Sequence, residues 1–130
     1  MSVFLAVDPG DARIGLAVSD SMGLIARPLR VIKHTARAED AAQIARVAEE
    51  FKAEAIIVGL ALDAEGRVGH QARKALRLAA AIEKETMIPV LTYDESGTTR
   101  AALKGNKKNG ALDARAAAHL LQEYLNARET

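Results

Sequence analysis

Acidic residues stand at several points where the chain changes element, and Asp8 is the most informative of them. It follows directly on the apolar run VFLAV, residues 3–7, where a carboxylate must find a hydrogen-bond donor, a cation or water. Asp94 and Glu95 end the apolar segment that begins near Pro89, and Asp113 precedes an alanine-rich helical pattern. Each has an ordinary structural explanation. Asp8 in the turn string DPGD can accept backbone N–H bonds. Glu95 can sit in the field of a following helix N-terminus, and Asp113 is a good helix cap. Together they supply carboxylates from the first strand, the last strand and the last helix, which in an α/β sheet can converge at one edge. Such oxygen donors suit Mg²⁺ or Mn²⁺. Two ions held there would activate a water, hold a scissile phosphate and stabilise the leaving 3′ oxygen.

That chemistry needs no covalent nucleophile. Ser96, Thr98 and Thr99 have no nearby His, so a serine-type triad has little support. His34, His70 and His119 show no metal-binding spacing and read as surface or packing residues. With no Cys, thiol nucleophiles, thiolate metal sites and a disulfide framework are excluded.

The elements that must position these carboxylates follow from the apolar periodicity. Residues 3–7 read as a strand buried on both faces, and after the DPGD turn a second strand runs from Ile14 to Ser19, giving a hairpin. A third strand is expected over 27–33. The period then becomes helical: Ile44, Val47, Ala48 and Phe51 share one face of a helix over 38–52. A short buried strand follows at 55–59. Val68, Ala72, Ala75, Leu76, Ala79 and Ile82 stripe a second helix. A further strand begins at Pro89, a short helix is expected over 98–103, and the last helix runs from about Asp113 to Asn126, with Ala117, Leu120, Leu121 and Tyr124 inward. The order implies an α/β fold: a mixed five-stranded sheet, a three-strand meander followed by βα units, with helices on both faces.

The 130 residues suit one domain spanning 1–130. Hydrophobic residues at 49% and charged residues at 27% describe a globular chain. No apolar run reaches the roughly 18 residues of a membrane span, so a cytoplasmic protein with no membrane partner is expected. The net charge of +1 neither demands nor forbids nucleic acid, so the placement of charge decides. Lys104, Lys107 and Lys108 lie with Gly105 and Gly110 in a basic loop before Asp113. Alone it would be a solvated loop; beside an acidic metal centre it could hold phosphates. Arg13 is a second phosphate candidate, because the hairpin keeps it near Asp8. His70, Arg73, Lys74, Arg77 and Lys84 share one side of the second helix and read first as a solvated face. Aromatics at 3% argue against a base-stacking platform, which leaves backbone phosphates and shape as the means of recognition.

The strings themselves resemble a known family. Residues 8–20, DPGDARIGLAVSD, are similar to the opening motif of the YqgF/RuvX family. VGL at 58–60, DESGTT at 94–99, LDARAA at 112–117 and AHLLQEYL at 118–125 resemble its later motifs in the same order. The resemblance implies a ribonuclease H-like fold related to Holliday-junction resolvases. It also implies a nuclease acting in 5′-end maturation of pre-16S ribosomal RNA or on branched DNA. Its acidic centre maps onto Asp8, Glu95 and Asp113, with Asp94 an adjacent alternative to Glu95, since successive strand residues point to opposite faces. Thr98 and Thr99 fall in the same motif as candidate nucleic-acid contacts. Two departures stand out: Ala61 replaces a common Pro, and Ser96-Gly97 replaces an Arg and an apolar residue. The lost Arg removes a bidentate phosphate partner. A catalytically weak nucleic-acid-binding or ribosome-assembly module is the competing expectation. A two-domain phosphate-binding ATPase does not fit in 130 residues. RNA or DNA as substrate, and a monomer or a homodimer, stay open at this point.

Overall fold

The computed structural model describes residues 2–95 and 114–129. The chain opens with β1 (Phe4–Pro9), β2 (Arg13–Ser19) and β3 (Ala26–Lys33), an antiparallel meander. Helix α1 (Arg37–Glu50) leads to β4 (Ala55–Leu60), and helix α2 (His70–Glu83) leads to β5 (Val90–Asp94). Helix α3 (Arg115–Glu129) closes the chain. The strands form one sheet in the order β3-β2-β1-β4-β5, with β4 and β5 parallel to β1. The expected mixed five-stranded sheet is therefore present. The short helix expected over 98–103 lies outside the described residues.

Strand alternation divides the core in two. Leu5, Val7, Ile14, Leu16, Ile56 and Val58 face α1 and α2, where Ile44, Val47, Leu78 and Ile82 meet them. The other face carries Phe4, Ala6, Ala17, Ala55 and Ile57 and is covered by Ala117, Leu120, Leu121 and Leu125 of α3. Alanines on the strands of this second face let α3 lie close to the sheet. Gln122 fixes the helix laterally: its Oε1 accepts from the Ala26 N–H and its Nε2 donates to the Leu24 carbonyl, both at 2.9 Å.

The helical stripes differ from expectation in detail. Val68 precedes α2 and is exposed, as is Leu76, whereas Leu78 is buried. Leu76 and Leu78 flank the Ala72-Ala75-Ala79-Ile82 stripe on opposite sides at 100° per residue, and Leu78 is the one that joins the core cluster containing Ile44 and Val47 of α1. Helix α1 ends at Glu50, with Phe51 as its cap and Lys52 in the left-handed region (φ 55°).

Candidate metal centre at the carboxyl edge

Because β4 and β5 run parallel to β1, the carboxyl ends of all three strands lie at one edge, together with the amino end of β2. This is the edge of an open α/β sheet where ligands are usually held.

Asp8 is the penultimate residue of β1 and is only 4% exposed. It has the parity of Phe4 and Ala6 and so points to the α3 face. Its partner across the ladder is Gly15, which contributes no side chain on that face. Arg13 lies two residues along on the same face, a diagonal neighbour on the order of 7–8 Å from Asp8 by strand geometry. The hairpin thus keeps Arg13 at the edge that Asp8 occupies.

Glu95 follows β5, its N–H donating to the Leu60 carbonyl at 3.2 Å. It is 9% exposed, whereas Asp94 is exposed. The alternation is decisive here. Tyr93 packs on the α3 core and Val90 on the opposite one, so Glu95 shares the face of Tyr93 and Asp8, and Asp94 turns away. The carboxylate of Glu95 rests against Gly59, its Cδ and Oε2 each 3.2 Å from where a β-carbon would stand. Val7 pairs with Val58, so Gly59 is the next residue along β4 from the pair that precedes Asp8. The Glu95 carboxylate therefore lies over the strand next to Asp8, with neighbouring strands about 4.8 Å apart. Leu120 of α3 closes over the same point, its Cδ2 2.9 Å from the β-carbon position.

Two buried carboxylates on one face, with no His or Cys beside them in the strand ends, are a donor set for a hard divalent cation rather than for zinc. Among the described residues no cluster of three or more His, Cys, Asp or Glu is placed to hold a metal ion. The third expected carboxylate, Asp113, lies outside the described residues, as do Thr98, Thr99, Lys104, Lys107 and Lys108. Helix α3 begins at Arg115, and the Ala114 carbonyl accepts from the Ala118 N–H. The cap position therefore falls on Ala114, whereas the sequence pattern starts the helix at about Asp113.

The basic side of α2 is resolved residue by residue. Arg73 and Arg77 are exposed, while Lys74 is half-buried and donates to Asp11 Oδ1 at 2.6 Å. That bond, with a second from Gln71, holds the Asp11 carboxyl below its ordinary value. His34, expected to be a plain surface or packing residue, places Nδ1 2.5 Å from Asp40 Oδ2. Asp40 is 2% exposed, and its other oxygen accepts from the Thr35 N–H at 3.2 Å. Nothing in the local sequence marks this pair: the residues are six apart across a strand-to-helix junction. Among the described residues no helix is long and apolar enough to cross a membrane.

Comparison with known proteins agrees with this architecture. A family model described as "RuvX: Holliday junction resolvase" matches residues 2–127. The chain is 37% identical to the "Putative pre-16S rRNA nuclease" of an Anaeromyxobacter species, over 96% of this chain and 97% of that one. It is 35% identical to the protein of the same name from a Synechococcus strain, over 95% of this chain and 78% of that one. Among solved structures it resembles Thermus thermophilus RuvC in complex with a Holliday junction substrate. The TM-score is 0.63 at 22% identity, covering 99% of this chain and 96% of the other. The fold is thus that of the ribonuclease H-like resolvases, and the chain belongs to the RuvX family.

Proposed function

We propose that this chain is a divalent-metal-dependent nuclease that hydrolyses phosphodiester bonds, with Asp8, Glu95 and Asp113 as the residues that hold Mg²⁺ or Mn²⁺. The observation that carries the reading is the burial of Asp8 and Glu95 on one face of the carboxyl edge. Two carboxylates brought to one face supply the oxygen donors that a shared hard cation takes. A pair of bound ions would supply a polarised water and neutralise the charge that develops on the phosphate. The protein's own part is to fix the donors: β1 sets Asp8 and the glycine of β4 leaves room for Glu95. Arg13, from the same edge, would hold a phosphate oxygen beside the cut, and Lys104, Lys107, Lys108, Thr98 and Thr99 would contact flanking nucleotides.

The substrate we favour is pre-16S ribosomal RNA, since that is the substrate in the names of relatives matched over nearly the full chain, and the family resemblance points to its 5′ end. The description of the matching family model supports a second reading, cleavage of a branched DNA junction. Symmetric cutting of a four-way junction needs two sites related by a two-fold axis, hence a homodimer, whereas end maturation is within reach of a monomer. As a single domain in the cytoplasm the protein would meet either substrate.

Cleavage of a labelled precursor RNA, single-stranded DNA and a four-way junction, each with Mg²⁺ or Mn²⁺, tests the proposal. Metal-dependent cutting of at least one, abolished by Asp8→Asn with binding retained, is expected. Binding without cutting in either metal would favour the weak binding or assembly module.

A further inference from the structure

A cavity of about 310 Å³ opens on the other side of the same edge, lined by Pro9, His34, Arg37, Asp40, Lys74 and Leu78 among others. Pro9 follows Asp8 directly and, by alternation, faces α1 and α2 while Asp8 faces α3. The acidic centre and this cavity are therefore back to back across the end of β1. Ile14 and Leu78 bring core side chains to the cavity wall, and the polar groups around them are mostly cationic or donors. Arg37 is exposed and forms no ion pair among the described residues. Lys74 reaches in from α2, half-buried, with its ammonium on Asp11 at the turn. The one acid in the wall, Asp40, has both oxygens occupied by His34 and the Thr35 N–H. Arg37 is also the first residue of α1, whose cap Ala36 makes no side-chain bond, so first-turn N–H groups are left to donate to a ligand, although Glu39 and Asp40 of the same turn offset the helix dipole.

We propose that this cavity is a phosphate subsite that holds one backbone phosphate of the bound strand, clamped by Arg37 and Lys74 after the strand crosses the β1–β2 turn. The assignment rests on the nuclease reading above and extends it to the side of the sheet away from the metal centre. Arg37 offers the planar fork that fits two phosphate oxygens, and Lys74 a point charge. Asp11 is the built-in competitor: it holds Lys74 until a phosphate takes its place, and its own charge repels the strand.

Binding of the precursor RNA and of the four-way junction, measured by anisotropy in EDTA over a salt series, tests this with the full chain. Arg37→Gln with Lys74→Met is expected to weaken binding about tenfold. Occupying one phosphate fewer, it should flatten the log–log salt slope by about 1. Asp11→Asn should tighten binding, and the gain should vanish when Lys74→Met is present. In parallel, inorganic phosphate should shift the backbone amides of residues 37–39 in wild type and not in the double variant. Unchanged affinity and slope in the double variant would overturn the subsite while leaving the nuclease reading intact. Phosphate-induced shifts without any change in strand binding would also overturn it, the cavity then being a site for a free phosphate. Failure of the wild type to cut any substrate with metal, despite normal binding and the expected variant effects, would instead remove the nuclease reading and keep the subsite.

Discussion

The Glu95 carboxylate occupies the space that a side chain at Gly59 would fill, its Oε2 lying 3.2 Å from the absent β-carbon. A glycine within a buried strand ordinarily weakens it, and here, at the penultimate position of β4, the missing side chain gives an acid and a helix access to the sheet. Gly59→Ala would bring its methyl to 2.9 Å from Leu120 Cδ2, so α3 or Glu95 must move. The expected loss of stability is about 1–3 kcal/mol, the usual cost of overpacking, read by urea unfolding. The Mn²⁺ concentration for half-maximal cleavage should rise as well, measured at a temperature where both proteins are folded. A stability loss with an unchanged metal response would show that Glu95 need not lie against the sheet.

Asp94 and Glu95 are adjacent but face opposite ways, so neutralising them should give opposite results. Glu95→Gln should abolish metal-dependent cleavage. Asp94→Asn, at an exposed position, should stay within about 0.5 kcal/mol of wild-type stability and cleave at a similar rate. Equal loss from both would contradict the assignment by alternation.

Asp40 ties the β3–α1 junction together through His34 and the Thr35 N–H. Asp40→Ala should cost about 1.5–3 kcal/mol in chemical unfolding, the range for hydrogen bonds to a charged group. His34→Ala should cost less, because its side chain is 41% exposed and surface pairs contribute little. A larger loss at His34 than at Asp40 would mean that the imidazole carries the junction.

Asp11 should titrate below an ordinary aspartate, first because Lys74 donates to it and then because Gln71 does. A depressed folded pKa contributes stability above the unfolded value and loses it as pH falls through the folded value. The exposure of Asp11 keeps that contribution small. NMR titration of its carboxyl in wild type and Lys74→Met measures the effect directly. The midpoint should rise in the variant, and an unmoved midpoint would show that the ion pair does not form in solution.

Much of this arrangement was legible before the fold was known. The apolar run before Asp8 and the helical stripes of Ile44 and Leu120 place strands and helices within a few residues, because burial imposes period 2 or 3.6. The choice between Asp94 and Glu95 was not open to residue types alone. It required the register of β5, with Tyr93 on the α3 side. Leu76 and Leu78 are equally apolar, and only the way α2 packs into the core selects the buried one. The His34–Asp40 contact and the cavity that Arg37 and Lys74 share arise from elements remote in sequence, and no local spacing encodes them. Gly59 read as part of a motif, while its function as a gap for Glu95 emerged only from the three-dimensional contact.

Asp113 is expected to complete the carboxylate set begun by Asp8 and Glu95. The cap position of α3 falls on Ala114, and Ser in any case caps a helix about as well as Asp. A hard cation, by contrast, is held by carboxylate charge. The most direct measurement is the cleavage rate of Asp113→Ser at limiting Mn²⁺, on the substrate the wild type cuts best, with its thermal transition recorded alongside. The expected result is a rate lower by orders of magnitude at near wild-type stability. A rate equal to wild type would contradict the three-carboxylate mechanism.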